Sequence, residues 1–349
     1  MSQNMLELTY RISLQQAAQE TDMKTIDMHC DTLMAAFIRD RENGSISHTP
    51  ECSVDVERLV QAKAMAQFFA IYMLREQDYI EMKVPAASYE EYIAGCIAIY
   101  ERALREHSDV LSRAATAGEI QKNYEEGKVS AVLTMEDGVA VDGKLENLTR
   151  FHDFGVRALS LTWNYENCFG YPNSSDSAIM QQGLKPFGKE AVEYMQGLGM
   201  MVDVSHLSDG GFWDVMKIAK RPVVATHSNA RSICNHPRNM TDDMIRALGN
   251  NGGVMGINFC PYFLDESKEN PISSIERMVA MAIHERSIGG IDVIGIGSDF
   301  DGIKGSLEIK EPIQMEMLAH ALTKAGFTER EIDKIFWENA LRVMKSAIL

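Results

Sequence analysis

Six side chains able to bind a metal or move a proton close short apolar runs in this 349-residue chain. They are His29 and Asp31 in IDMHCD, Glu136 in LTMEDG, His206 in VDVSH, His227 in VATHS and Asp299 in IGSDFDG. Three imidazoles with two carboxylates make an N/O donor set suited to zinc or a similar divalent metal. A mononuclear catalytic zinc uses three protein ligands and keeps one position for water. Here five donors remain once Asp299 is reserved, so the count points to two metals. The expected arrangement puts His29 and Asp31 on one ion and His206 and His227 on the other. Glu136 bridges them, because its run lies between the two groups in chain order. Paired ions about 3.5–4 Å apart lower the pKa of a shared water towards about 7 and clamp a tetrahedral intermediate.

Each residue alone has a plainer reading. A His at a strand end is commonly a hydrogen-bonded core residue, and any His and Asp two apart share a strand face. Glu136 alone reads equally as half of an ion pair. Asp299-Phe-Asp301-Gly302 hints at a calcium loop, but the rest of that spacing is missing. The metal reading rests on the conjunction, which requires the elements carrying these residues to converge.

Those elements are short β-rich runs at Thr25–His29, Gln67–Met73, Val129–Met135, Val156–Thr162, Met201–Ser205, Pro222–Thr226, Gly253–Phe259 and Asp292–Ser298. They are apolar almost throughout, as strands buried on both faces of a parallel sheet must be. Helical periodicity separates them at Tyr89–Glu106, Phe187–Leu198, Gly210–Ala219, Asp242–Leu248 and Ile275–Arg286. A capping box, Thr328-x-x-Glu331, opens the last helix. The alternation predicts an α/β fold, a (β/α)8 TIM barrel of the metal-dependent hydrolase type with extra terminal helices, occupying residues 1–349 as a single domain. In such a barrel the C-terminal strand ends meet on one rim, and five of the eight runs end in the six residues above. A doubly wound open sheet is the alternative. It would usually show a glycine-rich phosphate turn, and no G-x-G-x-x-G is present.

Composition narrows the partners. With 34 basic and 50 acidic residues the formal charge is −16, which disfavours both a phosphate-backbone binder and anionic lipid surfaces. We expect no nucleic acid and no membrane partner. The six cysteines show no C-x-x-C pair, so they read as reduced thiols rather than a disulfide framework or a zinc knuckle. The N-terminal MSQNMLELTYRISLQQ lacks the pattern of a signal peptide, and Ala64–Leu74 is too short and is broken by Gln67. The reading is a soluble, cytoplasmic protein, with a homodimer as the default assembly. His48, His107, His152, His284 and His320 fall in helices or loops and are left as surface or packing residues.

IDMHCD, GKVSAVLTMEDG, the SLTWN segment, GLKPFGKE, MMVDVSH, VVATHSNAR, HPRNMTDD and IGIGSDFDG together resemble the membrane (renal) dipeptidase family, the binuclear zinc dipeptidases of peptidase family M19. The resemblance runs in order from about Lys24 to Lys345. It implies a (β/α)8 barrel, two Zn2+ per subunit bridged by Glu136, and the ligand grouping given above. It also implies that Asp299 is the catalytic carboxylate shuttling a proton between the metal-bound hydroxide and the leaving amine. Arg238 in HPRN matches an arginine that binds the substrate's C-terminal carboxylate, a planar anion suited to a guanidinium fork. Secreted animal members carry a His after the fourth strand that contacts the substrate. This chain has Trp163 and Asn164 there, whose indole N–H or amide can hydrogen-bond an oxyanion instead. The resemblance is to a cytoplasmic, bacterial-type member.

The activity this implies is hydrolysis of a dipeptide's amide bond, L-Xaa-D-Xaa pairs included. A related binuclear amidohydrolase, such as an N-acyl amino acid deacylase, needs the same metal chemistry. A non-catalytic metal-binding barrel would lack a base or ligand, and a glycosidase would not need three rim histidines.

Overall fold

The computed structural model describes residues 23–267 and 269–348. All eight expected runs become parallel strands of one closed barrel: β1 Ile26–Cys30, β2 Ala66–Tyr72, β3 Val129–Glu136, β4 Val156–Ser160, β5 Met201–Asp203, β6 Val224–Ala225, β7 Val254–Ile257 and β8 Ile294–Ile296. Each pairs with the next, and β8 pairs back to β1 to close the ring. The fold is a (β/α)8 TIM barrel. The last five runs are shorter than their apolar stretches suggested, the sixth and eighth most of all. β6 keeps two ladder residues, and the start of the eighth run, Ile291–Val293, is a 3₁₀ turn. A ninth short strand, Leu111–Arg113, pairs only with the start of β3.

The ring of helices buries the strands' outer faces. Helix Tyr89–Glu106 opens with a capping box from Ser88 and Glu91, and buries Tyr92, Ile93, Cys96, Ile99 and Tyr100, the stripe its three-and-four spacing required. Helices Pro186–Leu198, Asp209–Ile218, Asp242–Asn250 and Ile275–Gly289 match the remaining expected segments within a few residues. The Thr328–Glu331 box forms as read, with reciprocal bonds of 3.2 and 2.9 Å. Its helix then passes through a wider turn at Lys334–Glu338 before Asn339–Ala347. Asn339 is tied there, its amide donating to Ile291 O at 2.8 Å and Ile294 O at 2.9 Å. Several helices lay outside the segments read from the sequence, among them Val56–Gln61, Glu76–Met82, Ala117–Glu125, Leu145–Asp153 and Met315–Lys324. Another, Thr32–Arg39, begins directly after the first motif with Asp31 at its N-cap position.

All six cysteines are free thiols. No helix among the described residues is long and apolar enough to cross a membrane. The segment MSQNMLELTYRISLQQ lies outside the described residues.

Candidate metal and catalytic centre

The strand ends are built to turn sharply. Asp137, His206, Asp299 and Asp301, at the ends of β3, β5 and β8, hold φ values of 73°, 68°, 63° and 68°. This left-handed region is costly for non-glycine residues and is kept where the surroundings enforce it. Gly302 completes the turn after β8; a Cβ there would collide with Asp31 Oδ2. Only glycine lets the β8 loop approach the β1 carboxylate this closely.

All six residues singled out from the sequence meet at the rim. His29 Nε2 lies 3.6 Å from Asp31 Oδ2, 3.4 Å from Glu136 Oε2 and 3.9 Å from Asp299 Oδ1. Glu136 Oε1 lies 2.9 Å from His206 Nε2 and 3.3 Å from His227 Nε2. Glu136 therefore reaches His29 with one oxygen and the His206–His227 pair with the other. Two of these clusters have ligand atoms close enough to share an ion: His29, Glu136 and His227, and His29, Asp31 and Asp299.

Hydrogen bonding behind the rings decides what faces the centre. Thr226 Oγ1 donates its single proton to Asp203 Oδ2 at 2.6 Å. It must then accept from His227 Nδ1, 2.8 Å away, which leaves His227 Nε2 as a lone pair. Asn164 Oδ1, 3.3 Å from His206 Nδ1, likewise accepts and leaves His206 Nε2 bare. These two Nε2 atoms are 3.0 Å apart and both face Glu136 Oε1. Lone pairs and a carboxylate oxygen at such range repel unless a cation joins them. Buried His29 Nε2 and Asp31 Oδ1 also lack any hydrogen-bond partner among the described residues. The donor set fits divalent metal ions, with imidazoles oriented from behind as metal-ligating histidines are.

Electrostatics follow from burial and crowding. Burial pushes the Asp31 carboxyl up to about 6 and that of Asp299 up to about 7; His29 opposes both shifts, while Glu136 adds to both. Burial also pushes His206 down to about 4, helped by Arg238.

Comparison with known proteins decides the family. The model of the membrane dipeptidase family (Peptidase family M19) matches residues 15–348. The chain belongs to this family. A dipeptidase of Clonostachys rogersoniana, verJ, is 30% identical over 339 residues, covering 93% of this chain and 84% of that protein. An uncharacterised protein encoded 5′ of pqqA in Klebsiella pneumoniae is 33% identical over 260 residues, covering 72% of this chain and 94% of that one. Among solved structures, a metallopeptidase from Rhodobacter sphaeroides, liganded with a phosphinate mimic of L-Ala-D-Ala, superposes with a TM-score of 0.83. It is 26% identical, covering 93% of this chain and 99% of that one. As an M19 member the chain is a metal-dependent dipeptidase, a hydrolase of peptide bonds.

The remaining predicted residues of this M19 dipeptidase surround the centre. Arg238 is buried. One of its terminal nitrogens donates to His227 O at 3.1 Å, its guanidinium carbon lies 5.3 Å from the centre of the Phe263 ring, and its Nε has no partner among the described residues. Trp163 packs at the mouth, 6.1 Å from His206 between ring centres. Asn164 faces the back of His206.

Other residues at the site were not singled out from the sequence. Asp203 accepts from Ser160, Thr226 and the Ser205 N–H. Asp27 accepts from Ser298, Gln67 and the His29 N–H. Asn258 donates to Asp299 Oδ2 at 2.8 Å. Tyr72 stands opposite Glu136 in the β2–β3 register. The usable signal was the same in each case, a polar side chain in or closing an apolar run; Asn and Tyr are not zinc ligands, and Asp27 and Asp203 differ from the ligand carboxylates only in partners from distant strands.

Proposed function

We propose that this dipeptidase holds two zinc ions, His29 and Asp31 serving one, His206 and His227 the other, with Glu136 shared. The observation that carries the reading is the pair of bare Nε2 atoms 3.0 Å apart against one Glu136 oxygen. Bound there, the ions would supply Lewis-acid polarisation of the carbonyl and a water of lowered pKa. Everything else is done by side chains of the chain. Arg238 holds the substrate's C-terminal carboxylate through its Nε side, which has no partner among the described residues. Asn258 fixes one oxygen of Asp299 and leaves the other, Oδ1, facing the centre. Water adds to the carbonyl carbon, and Asp299 accepts the proton released. It returns that proton to the amide nitrogen as the C–N bond breaks, giving two amino acids. Asn164 orients His206, and Trp163 borders the substrate.

L-Xaa-D-Xaa dipeptides are included as substrates, because the only recognition asked of Arg238 is that of a carboxylate. Six free thiols suit a reducing, cytoplasmic setting. The test is turnover of a dipeptide panel, with L- and D-residues second, after chelation and readdition of zinc. Zinc-restored hydrolysis supports the reading. Failure across the panel, with cleavage of N-acyl amino acids instead, overturns it in favour of a deacylase.

A further inference from the structure

Around the mouth, the side chains that follow β2 and β4 differ in kind from the rest. Tyr72 pairs in register with Glu136, so both side chains leave the same face of the sheet. Trp163 meets the Tyr72 ring edge-to-face at 4.8 Å between centres and lies 5.7 Å from the Tyr165 ring. Its other side borders His206. The charges near these rings are already engaged. Arg75 lies over Tyr165 at 4.8 Å and binds Asp137 Oδ2 at 2.7 Å. Asp137 also accepts from Asn167 at 2.7 Å, and Asp78 accepts the Arg75 backbone N–H at 2.7 Å. Tyr165 remains 40% exposed and Trp163 is half-buried. Tyr72 itself is buried in the core and forms the base of the wall, so the aromatic area that lies open beside the ligands belongs to Tyr165 and to the uncovered side of Trp163.

Strand order places this wall relative to the rest of the site. β3, at its middle, is four strands from β7 in the closed ring. Arg238, Asn258 and Asp299 follow β6, β7 and β8, on the opposite side. A dipeptide spans about 7 Å when extended. With its carboxylate on Arg238 and its amide over Glu136, its first residue reaches the β2–β4 side.

We propose that Tyr72, Trp163 and Tyr165 form the subsite for the side chain of the N-terminal residue, and that it selects large apolar and aromatic side chains over charged ones. The inference rests on the dipeptidase reading with Arg238 as the carboxylate anchor. An apolar side chain gains by leaving water against these rings, whereas a charged one would be desolvated with no free partner. Differences of this kind are worth about 10- to 100-fold in kcat/KM.

The experiment measures kcat/KM for Phe-, Leu-, Ala-, Asp- and Lys-Xaa, with L-Ala and D-Ala as Xaa, on the zinc-loaded enzyme. Phe and Leu should exceed Asp and Lys by about tenfold or more. Trp163→Ala should cut the Phe/Ala ratio about tenfold at unchanged zinc content, while Trp163→Phe keeps most of it. Should Trp163→Ala fail to fold, Tyr165→Ser, altering an exposed ring, should show a smaller loss in the same direction. A flat panel, or ratios unmoved in these variants, overturns the wall as a subsite. Hydrolysis of no dipeptide at all overturns the dipeptidase reading instead, and is distinguishable because no ratio can then be formed.

Discussion

Two sets of aspartates in this barrel are almost equally buried and are treated in opposite ways. Asp27 and Asp203, two and three residues before His29 and His206, are 3% and 2% exposed. Each is surrounded by donors: Ser298 N and Oγ and the Gln67 amide for Asp27, and Ser160, Thr226 and two backbone N–H groups for Asp203. Asp31 and Asp299 are 4% and 8% exposed. Asp31 Oδ1 has no partner among the described residues, and Asp299 has the single Asn258 bond. Removing a carboxylate from water costs several kcal/mol unless charge or hydrogen bonds replace the lost solvation. The first set is compensated by the protein and holds the ligand-bearing strands in place. The second is left for something the chain does not supply. Burial alone therefore does not mark the functional carboxylates; burial with unfilled acceptor capacity does.

The sharpest way to break this contrast is Asp299→Asn. If Asp299 is kept under-bonded in order to move protons, the amide should retain the metal and lose about 10²–10⁴-fold in kcat, the range for positioned acid–base groups. Metal content by elemental analysis and steady-state kinetics check it. Full turnover would return Asp299 to the structural set. Arg238 belongs on the same side of the comparison, since its buried Nε has no partner among the described residues. Arg238→Lys keeps charge but loses the fork, so KM should rise about 10- to 100-fold, as expected for losing a charged hydrogen bond, with a smaller change in kcat.

How much of this was legible in the sequence depends on what each residue's neighbours reveal. The eight strands were readable because parallel barrel strands are apolar on both faces and contrast with the helices between them. His29, Asp31, Glu136, His206, His227 and Asp299 were readable because five of the runs end in such residues at once, whereas any one of them alone reads as a hydrogen-bonded core residue. Asp27 was not separable from Asp31, since residues 27, 29 and 31 share one spacing and differ only in partners from distant strands. The Ser298 hydroxyl that satisfies Asp27 lies 271 positions away. Tyr72 ends the run AQFFAIY, where an aromatic reads as core. Its role at the mouth depends on register with Glu136, which no local pattern encodes. Helix Thr32–Arg39 was missed because it starts where the metal motif ends, without a loop.

Thr226 joins the two sets, because its hydroxyl passes Asp203's influence to His227. Thr226→Val removes the acceptor for His227 Nδ1–H and frees the ring to take the wrong tautomer. Loss of such a supporting bond typically costs 10–100-fold in metal affinity. Competition with a zinc chelator should show a weakening of about that size, while Thr226→Ser should restore it. Unchanged affinity in the Val variant would mean that Asp203 supports the strand alone.

Glu285 tests the contrast from outside the rim. It is fully buried in helix Ile275–Gly289, and neither of its oxygens has a partner among the described residues. By unfilled acceptors alone it would count with Asp31. It differs in its surroundings: burial alone, with no charged group among the described residues acting on it, holds its pKa well above the ordinary glutamate value. A lone buried carboxyl can escape desolvation by keeping its proton, whereas the rim crowds carboxylates against imidazoles and calls for a cation. The native state then holds a proton that the unfolded chain releases near pH 4.3. Its contribution to stability is complete below that pH and is lost as pH rises towards the folded value, at about 1.4 kcal/mol per pH unit in between. Glu285→Gln should remove this slope from denaturant-derived stability measured between pH 5 and 8, leaving zinc content and kcat unchanged. An unaltered slope would show that Glu285 is compensated in the folded protein, and that unfilled acceptors are a weaker guide than the rim carboxylates suggest.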